Sequence, residues 1–374
     1  MLHFTRDAPS TPVYRNGLGQ TPVMGWNSWN HWNCAINETV ILGAAQALRS
    51  TGLADLGYDH VNVDDCWQLL GRDEQGNLRA DPEAFPSGMA ALGDKIHALG
   101  LKFGIYSSAG TKTCAGREAS LGHEDRDARL FAEWGVDLLK HDNCNNLGRE
   151  GTPRASFLRY ASMARALNAT GRPIQLALCS WGTDSVQDWA PRISNSWRTT
   201  FDIYDSREPG GKYARSYLQI LEQASAVVGK GGPGCFADLD MLEVGNGGLS
   251  DVDARSHFSL AETLAIISNR HLIAVNQDSL GRPATRLVRP PNSDVELQWW
   301  VGPLSGERWV AAVLNEGEAT KSVKISVSDL IGISDTAVTF RDLWQDRKSV
   351  GVFSDDFTTD VEAHGTRVFE VSRA

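Results

Sequence analysis

The sequence predicts an α/β fold: a (β/α)8-type barrel followed by an antiparallel β-sandwich. Three observations predict it. Short apolar runs alternate with helical stretches from Gly17 onward. After Arg282 the helical stretches give way to short alternating segments. The apolar runs of the first part also end, one after another, in charged or polar residues, as parallel strands do where they deliver side chains to one shared face. A chain of 374 residues accommodates a barrel of about 250 residues and a smaller second domain. The partition is a lead-in over 1–16, a barrel over 17–281 and a sandwich over 282–374.

The β-like runs are, in order, PVMGWNSW (22–29), HVNVDDCW (60–67), LKFGIYS (101–107), VDLLKHD (136–142), PIQLALCS (173–180), SWRTTFD (196–202) and a seventh within GPGCFADLDML (232–242). Helical stretches between them include ETVILGAAQALRS (38–50), SGMAALGDKIHAL (87–99), 124–134 and 154–168. This alternation means βα units on a parallel sheet, and this many units favour closure into a barrel. No GxGxxG or GxxxxGK[ST] follows the first run, which removes the dinucleotide and P-loop readings. Beyond Arg282, ELQWWVG, RWVAAVLN, KSVKISVS, AVTFRDLW and TRVFEVS are bounded by Gly, Ser, Asp and Asn. They read as antiparallel sheets packed face to face, with no titratable cluster and a structural role.

Composition narrows the function. Net charge is −10 with no basic cluster, so neither nucleic acid nor an anionic membrane is an expected partner. No apolar run approaches the roughly 18–20 residues of a membrane span, and the first residues hold no apolar core of a signal peptide. Self-association is left open. Twelve tryptophans mildly favour a carbohydrate ligand, since flat apolar rings stack on sugar faces. Asn37-Glu38-Thr39 and Asn168-Ala169-Thr170 are glycosylation sequons if the chain is secreted.

The stretch VDLLKHDNC (136–144) concentrates the chemistry. An apolar strand that runs out into Lys140, Asp142 and Cys144 is poor packing but suits a catalytic strand tip. The other runs end in Asp64-Asp65, Tyr106, Ser180, Arg198 with Asp202, and Asp238 with Asp240. A lone Asp is usually a solvated turn former; recurrence at strand ends argues for a shared pocket. Several carboxylates with one Lys and one Arg suit glycoside hydrolysis, which needs one carboxylate nucleophile and one protonated carboxyl. Mutual repulsion and burial would separate the two pKa values. A metal is disfavoured: adjacent Asp64 and Asp65 on a strand point to opposite faces, and no HExxH or CxxC is present. No cofactor is expected.

GWNSW, NVDDCW, GIYSSAGTKTCAG, WGVDLLKHDNC, NSWRTTFDI, DLDML and VNQDSLG, in this order, resemble the α-galactosidases of glycoside hydrolase family 27, which also holds α-N-acetylgalactosaminidases. The resemblance covers residues 17 to about 285. It implies a secreted, retaining exo-glycosidase acting on terminal α-galactosides, with Asp142 as nucleophile and Asp202 as acid/base. It implies that Asp64, Asp65, Lys140 and Arg198 bind sugar hydroxyls, that Trp29 and Tyr106 wall the pocket, and that Asp240 adds a hydrogen bond. It implies disulfides Cys34–Cys66 and Cys114–Cys144, with Cys114 lining the pocket and Cys179 and Cys235 as buried thiols. Disulfides imply an oxidising compartment.

The chain departs from the family in three places. Ser180 stands where many α-galactosidases carry a larger polar residue, which leaves room for an N-acetyl group. Phe201 and the run GPGCFADLD differ from the usual residues around the sixth and seventh strands. Between GGLS (247–250) and LIAVNQD (272–278) the chain is shorter than the family by about one strand and its loop, so the eighth strand is expected to be missing. Taken without the resemblance, Leu272–Val275 reads as that strand. A barrel left open there has unpaired edges, and low stability or an inactive sugar-binding remnant is then the competing expectation.

Overall fold

The structure, a computed structural model, describes residues 14–243, 245–249, 252, 267–287, 294, 296–332 and 336–374. It divides into two compact units: Met1–Phe201 with Gly234–Asp238, and Asp202–Pro233 with Leu239–Ala374. This division differs from the sequence partition at 282. The lead-in over 1–16 falls largely outside the described residues.

The first unit is built on a seven-stranded parallel sheet. Its strands are β1 (Gly25–Asn27), β2 (His60–Asn62), β3 (Lys102–Ser108), β4 (Leu138–Asp142), β5 (Gln175–Cys179) and β6 (Ser196–Arg198). After two short strands of the second unit, β7 (Asp202–Ile203) and β8 (Ala214–Arg215), the sheet is completed by β9 (Phe236–Asp238). Their order is β1-β2-β3-β4-β5-β6-β9, every pairing parallel. All seven expected runs supply a strand, and the sheet is the curled α/β arrangement expected of a TIM-type barrel. In β3 every residue after Lys102 is buried. Helices cover such strands, so their sequences read as apolar runs rather than as alternation.

The covering helices begin where their caps dictate. Asn37 caps α2 (Glu38–Ser50) by accepting from the Val40 N–H, and Thr152 caps α5 (Pro153–Ala169), with Pro153 opening its first turn. Between them lie α3 (Gly88–Ala98) and α4 (Glu124–Glu133); a short α1 (Trp29–Trp32) follows β1. Acidic Glu124, Asp125 and Asp127 occupy the first turn of α4, where the helix dipole favours them. Asp127, fully buried, is held by Arg72 through two bonds of 2.6 and 2.8 Å. This pair ties the β2–α3 connection to α4.

The shortened connection lies mainly at 250–251 and 253–266, outside the described residues. Leu272–Val275 is not a strand. It belongs to helix α7 (Arg270–Asn276), following α6 (Tyr217–Ser225) of the same unit. The Asn269 side chain accepts from the His271 and Leu272 N–H groups, and that cap commits the apolar residues behind it to a helix.

In the second unit a six-stranded antiparallel sheet runs β10 (Thr285–Arg286), β11 (Leu297–Leu304), β12 (Arg308–Asn315), β17 (Thr366–Arg373), β14 (Val338–Asp342), β15 (Lys348–Phe353). A two-stranded sheet pairs β13 (Lys321–Ser326) with β16 (Asp356–Val361). Phe357 of β16 joins a core with Phe340 and Phe369 of the larger sheet, its ring stacked 4.0 Å from Phe340. That is the face-to-face packing expected. Strands β15 and β16 were not expected; β15 is largely exposed, and in β16 only Phe357 and Val361 are buried. The expectation of no titratable cluster is also corrected. Glu370 pairs with Arg308 (2.7 Å) and Arg347, and Asp342 with Arg367, both acids nearly buried. Arg308, Glu370, Arg367 and Asp342 meet through the β12–β17–β14 pairing, and Arg347 reaches Glu370 from the β14–β15 connection. A separate cluster of Ile203, Tyr217, Ile220 and Leu249 packs α6.

Among the described residues no helix is long and apolar enough to cross a membrane. Phe357→Ala should remove a ring from the sandwich core and cost about 3–5 kcal/mol, read as a lower urea midpoint for the second unit.

Candidate active site

Parallel register aligns the polar strand ends of the first unit. Tyr106 of β3 sits beside Lys140 of β4, and Ser108 beside Asp142 beside Cys179 of β5. Side chains alternate along β4, so Lys140 and Asp142 share one face while Leu139 and His141 take the other. The second face is packed against α5: the His141 ring meets Tyr160 edge-on at 5.8 Å. Burial, then the positive charge of Arg159, lowers the His141 pKa to about 3, so its ring stays neutral.

On the first face the charges are matched. Asp64 and Asp65 are both buried. Strand β2 ends at Asn62, so the two residues escape strict strand alternation. The Asp64 carboxylate accepts from Lys140 Nζ at 2.8 Å and from Asn27 Nδ2 at 2.7 Å. Asp65 accepts from the backbone N–H groups of Cys66 (2.7 Å) and Ala115 (2.8 Å). Burial raises the Asp65 pKa against these two bonds, and the nearby Asp64 charge adds to the rise. The Lys140 pKa is also raised: burial alone would lower it, but Asp64 leads a set of negative neighbours that outweigh burial and keep the ammonium charged. Its ammonium also lies 5.5 Å from the Tyr106 ring.

Asp142, the last residue of β4, is 6% exposed. Its Oδ2 accepts from the Tyr106 hydroxyl at 2.9 Å and its Oδ1 from the Asn143 N–H at 2.7 Å. Burial, then the charges of Asp142, Asp65 and Asp64, raises the Tyr106 pKa well above that of a free phenol. The phenol therefore keeps its proton and remains a donor to Asp142. Asn143 is itself held: its Oδ1 accepts from Arg159 Nη2 and from the Tyr160 hydroxyl. Arg159 also donates to the carbonyls of Ala109 (3.1 Å) and Arg149 (3.0 Å).

Both implied disulfides are present, with Cα–Cα distances of 5.2 Å for Cys34–Cys66 and 5.1 Å for Cys114–Cys144. Cys114 is exposed, and the Tyr106 hydroxyl lies 3.3 Å from its sulfur. Cys179 and Cys235 are buried outside any disulfide. Burial pushes the Cys235 thiol up to about 12 against a weaker effect of Ser194, which makes it unreactive. Arg198, at the end of β6, donates to Cys179 Sγ at 3.5 Å and to the Thr200 carbonyl at 3.3 Å. Ser180 is buried, and its hydroxyl meets no partner among the described residues. Trp29 opens α1 and is partly buried, its N–H bonded to Asn27 Oδ1.

Asp202 and Asp240 belong to the second unit. Asp202 is exposed on β7. The Asp240 carboxylate accepts from the Ile203 N–H at 2.8 Å and the Met241 N–H at 2.9 Å, so it fixes the backbone beside Asp202. Sequence reasoning did not single out Asn27, Asn143, Arg159 or Tyr160. Asn27 lay inside the quoted GWNSW motif, whereas Arg159 sits in the helical stretch with nothing to set it apart.

Lys140→Met should leave Asp64 buried without its cation and cost about 3 kcal/mol, read as a fall in the chemical unfolding midpoint of the first unit.

Residues 21–278 match the family model described as alpha galactosidase A, and residues 294–371 the alpha galactosidase C-terminal beta sandwich domain. Alpha-galactosidase 3 of Arabidopsis thaliana is 46% identical, covering 95% of this chain and 82% of that protein. Among solved structures, alpha-galactosidase I of Mortierella vinacea superposes with a TM-score of 0.90 at 42% identity, over 95% of this chain and 98% of that one. The alpha-galactosidase of Saccharomyces cerevisiae, solved with raffinose, gives 0.91 at 34% identity, over 97% and 100%. With its parallel sheet, its aligned acidic strand ends and its C-terminal sandwich, this chain belongs to the α-galactosidase family of glycoside hydrolases.

Proposed function

We propose that this chain is a retaining, exo-acting α-galactosidase that releases terminal α-D-galactosyl residues from oligosaccharides, galactomannans and glycoconjugates. The observation that carries the reading is the setting of Asp142. A rigid parallel strand ends on this carboxylate, buried and fixed by one hydrogen bond to each oxygen, in a chain of this family.

Asp142 attacks the anomeric carbon and forms a glycosyl ester. The protonated Asp202 gives its proton to the departing glycosidic oxygen. A water then attacks the ester, Asp202 takes that water's proton, and the product keeps the substrate's anomeric configuration. Tyr106 keeps its hydrogen bond to Oδ2 as the carboxylate loses its charge. Retention requires the two carboxyls to stand about 5–5.5 Å apart in the working enzyme. Asp64, Asp65, Lys140 and Arg198 bind sugar hydroxyls, Trp29, Tyr106 and Cys114 line the pocket, and Asp240 positions Asp202 through the Ile203 amide. The relative solved with raffinose supports a galactoside as substrate. No cofactor enters these steps, and the two disulfides support an oxidising, extracellular setting.

Ser180 favours a second reading, an α-N-acetylgalactosaminidase. Its small side chain, whose hydroxyl meets no partner among the described residues, stands where a small residue would leave room for an N-acetyl group at the sugar's second carbon.

Asp142→Asn should lower nitrophenol release from an aryl α-galactoside by about 10³-fold or more; equal, measurable rates in both would reject the mechanism, and no release by the wild type would select the inactive remnant. Asp202→Asn should lose about 10²–10⁴-fold on an oligosaccharide and less on the nitrophenyl substrate, whose leaving group needs little protonation. Proton NMR of the first-formed sugar should show the α-anomer. The aryl α-galactoside should be cleaved faster than its N-acetyl analogue; a reversed ratio selects the second reading.

A further inference from the structure

We infer that reduction of the Cys114–Cys144 disulfide turns the Asp142 site into a binding site for a soft or borderline divalent cation such as Zn²⁺ or Cd²⁺. The two sulfurs and an Asp142 carboxylate oxygen all lie within 4.8 Å of one another. Two thiolates and a carboxylate are a three-ligand set for a tetrahedral cation, with the fourth position open to water. In the oxidised protein both sulfurs are committed to each other, and no such site exists there.

The two loops that carry the sulfurs do not depend on the sulfur bond for their proximity. The Thr111 N–H donates to the Asn145 carbonyl at 3.0 Å, and the Asn145 side chain to the Thr113 carbonyl at 2.9 Å. The Ser108 hydroxyl donates to the Cys144 carbonyl at 3.0 Å, and the Ala109 N–H to the Asp142 carbonyl at 2.9 Å. The Ala115 N–H, next to Cys114, is tied to Asp65 at 2.8 Å. Reduction therefore frees two thiols that stay beside the carboxylate.

Access is one-sided. Cys114 is exposed while Cys144 is partly buried. A dithiol reductant attacks the Cys114 sulfur, and Cys144 leaves as a thiolate. The reductant's second thiol then closes its own disulfide and releases Cys114. Two electrons and two protons pass to the protein. The cation displaces both thiol protons to solvent and takes a lone pair from Asp142. The consequence for catalysis, loss of the nucleophile to the metal, rests on the function proposed above; the binding itself does not.

The test uses the full chain, reduced with a dithiol, desalted without oxygen and titrated with Cd²⁺. Expected is one tight equivalent with a thiolate-to-cadmium charge-transfer band, absent from the oxidised protein and reversed by a chelator. The band should vanish in Cys114→Ser and persist in Cys34→Ser, and Asp142→Asn should weaken binding about tenfold or more. Alkylation mapped by mass spectrometry on the wild type avoids reliance on the folding of these variants: Cd²⁺ should protect Cys114 and Cys144 together. Equal affinity in Asp142→Asn, or protection confined to Cys34 and Cys66, overturns the inference. Tight binding that leaves galactoside hydrolysis unchanged would instead overturn Asp142 as nucleophile and leave the metal site standing.

Discussion

The ion pair between Lys140 and Asp64 is the interaction on which the first unit's acidic floor depends. Asp64, Asp65 and Asp142 are gathered on strand tips with little solvent to screen them. Without a cation among them their mutual repulsion would go unopposed. Lys140 supplies that cation from the same strand as Asp142, 2.8 Å from Asp64. A buried pair of this kind gains little stability over an apolar equivalent. Its place on the strand tips sets one cation beside the gathered carboxylates.

Around that pair the donors are arranged so that each carboxylate keeps a defined orientation. Asp142 takes one bond from a phenol whose pKa is raised well above its ordinary value and one from its own chain neighbour. Asp65 is oriented by two backbone amides. Fixed donors of this type need no rearrangement as charge moves during a reaction.

Much of this was legible in the sequence because the informative residues are local. VDLLKHDNC states a buried strand and its polar tip within nine letters, all seven strands lie where the sequence reading put them, and both disulfides are those that the family resemblance implied. What escaped was set by pairing across distance. The Glu370–Arg308 and Asp342–Arg367 pairs exist only through strand register. Leu272–Val275 reads as a strand by composition without the resemblance, yet it lies in a helix that Asn269 caps. The role of Asp240 in holding the Ile203 amide could not be read from spacing, since it depends on the path of the intervening chain.

Arg159 has a wider consequence. It lies on α5, outside the row of strand-tip acids, yet its guanidinium grips Asn143, whose amide orients Asp142, and the carbonyls of Ala109 and Arg149. The aim of the carboxylate is thus inherited from the helix behind the sheet. A substitution at Arg159 on α5 therefore reaches the Asp142 carboxylate through Asn143 without touching it.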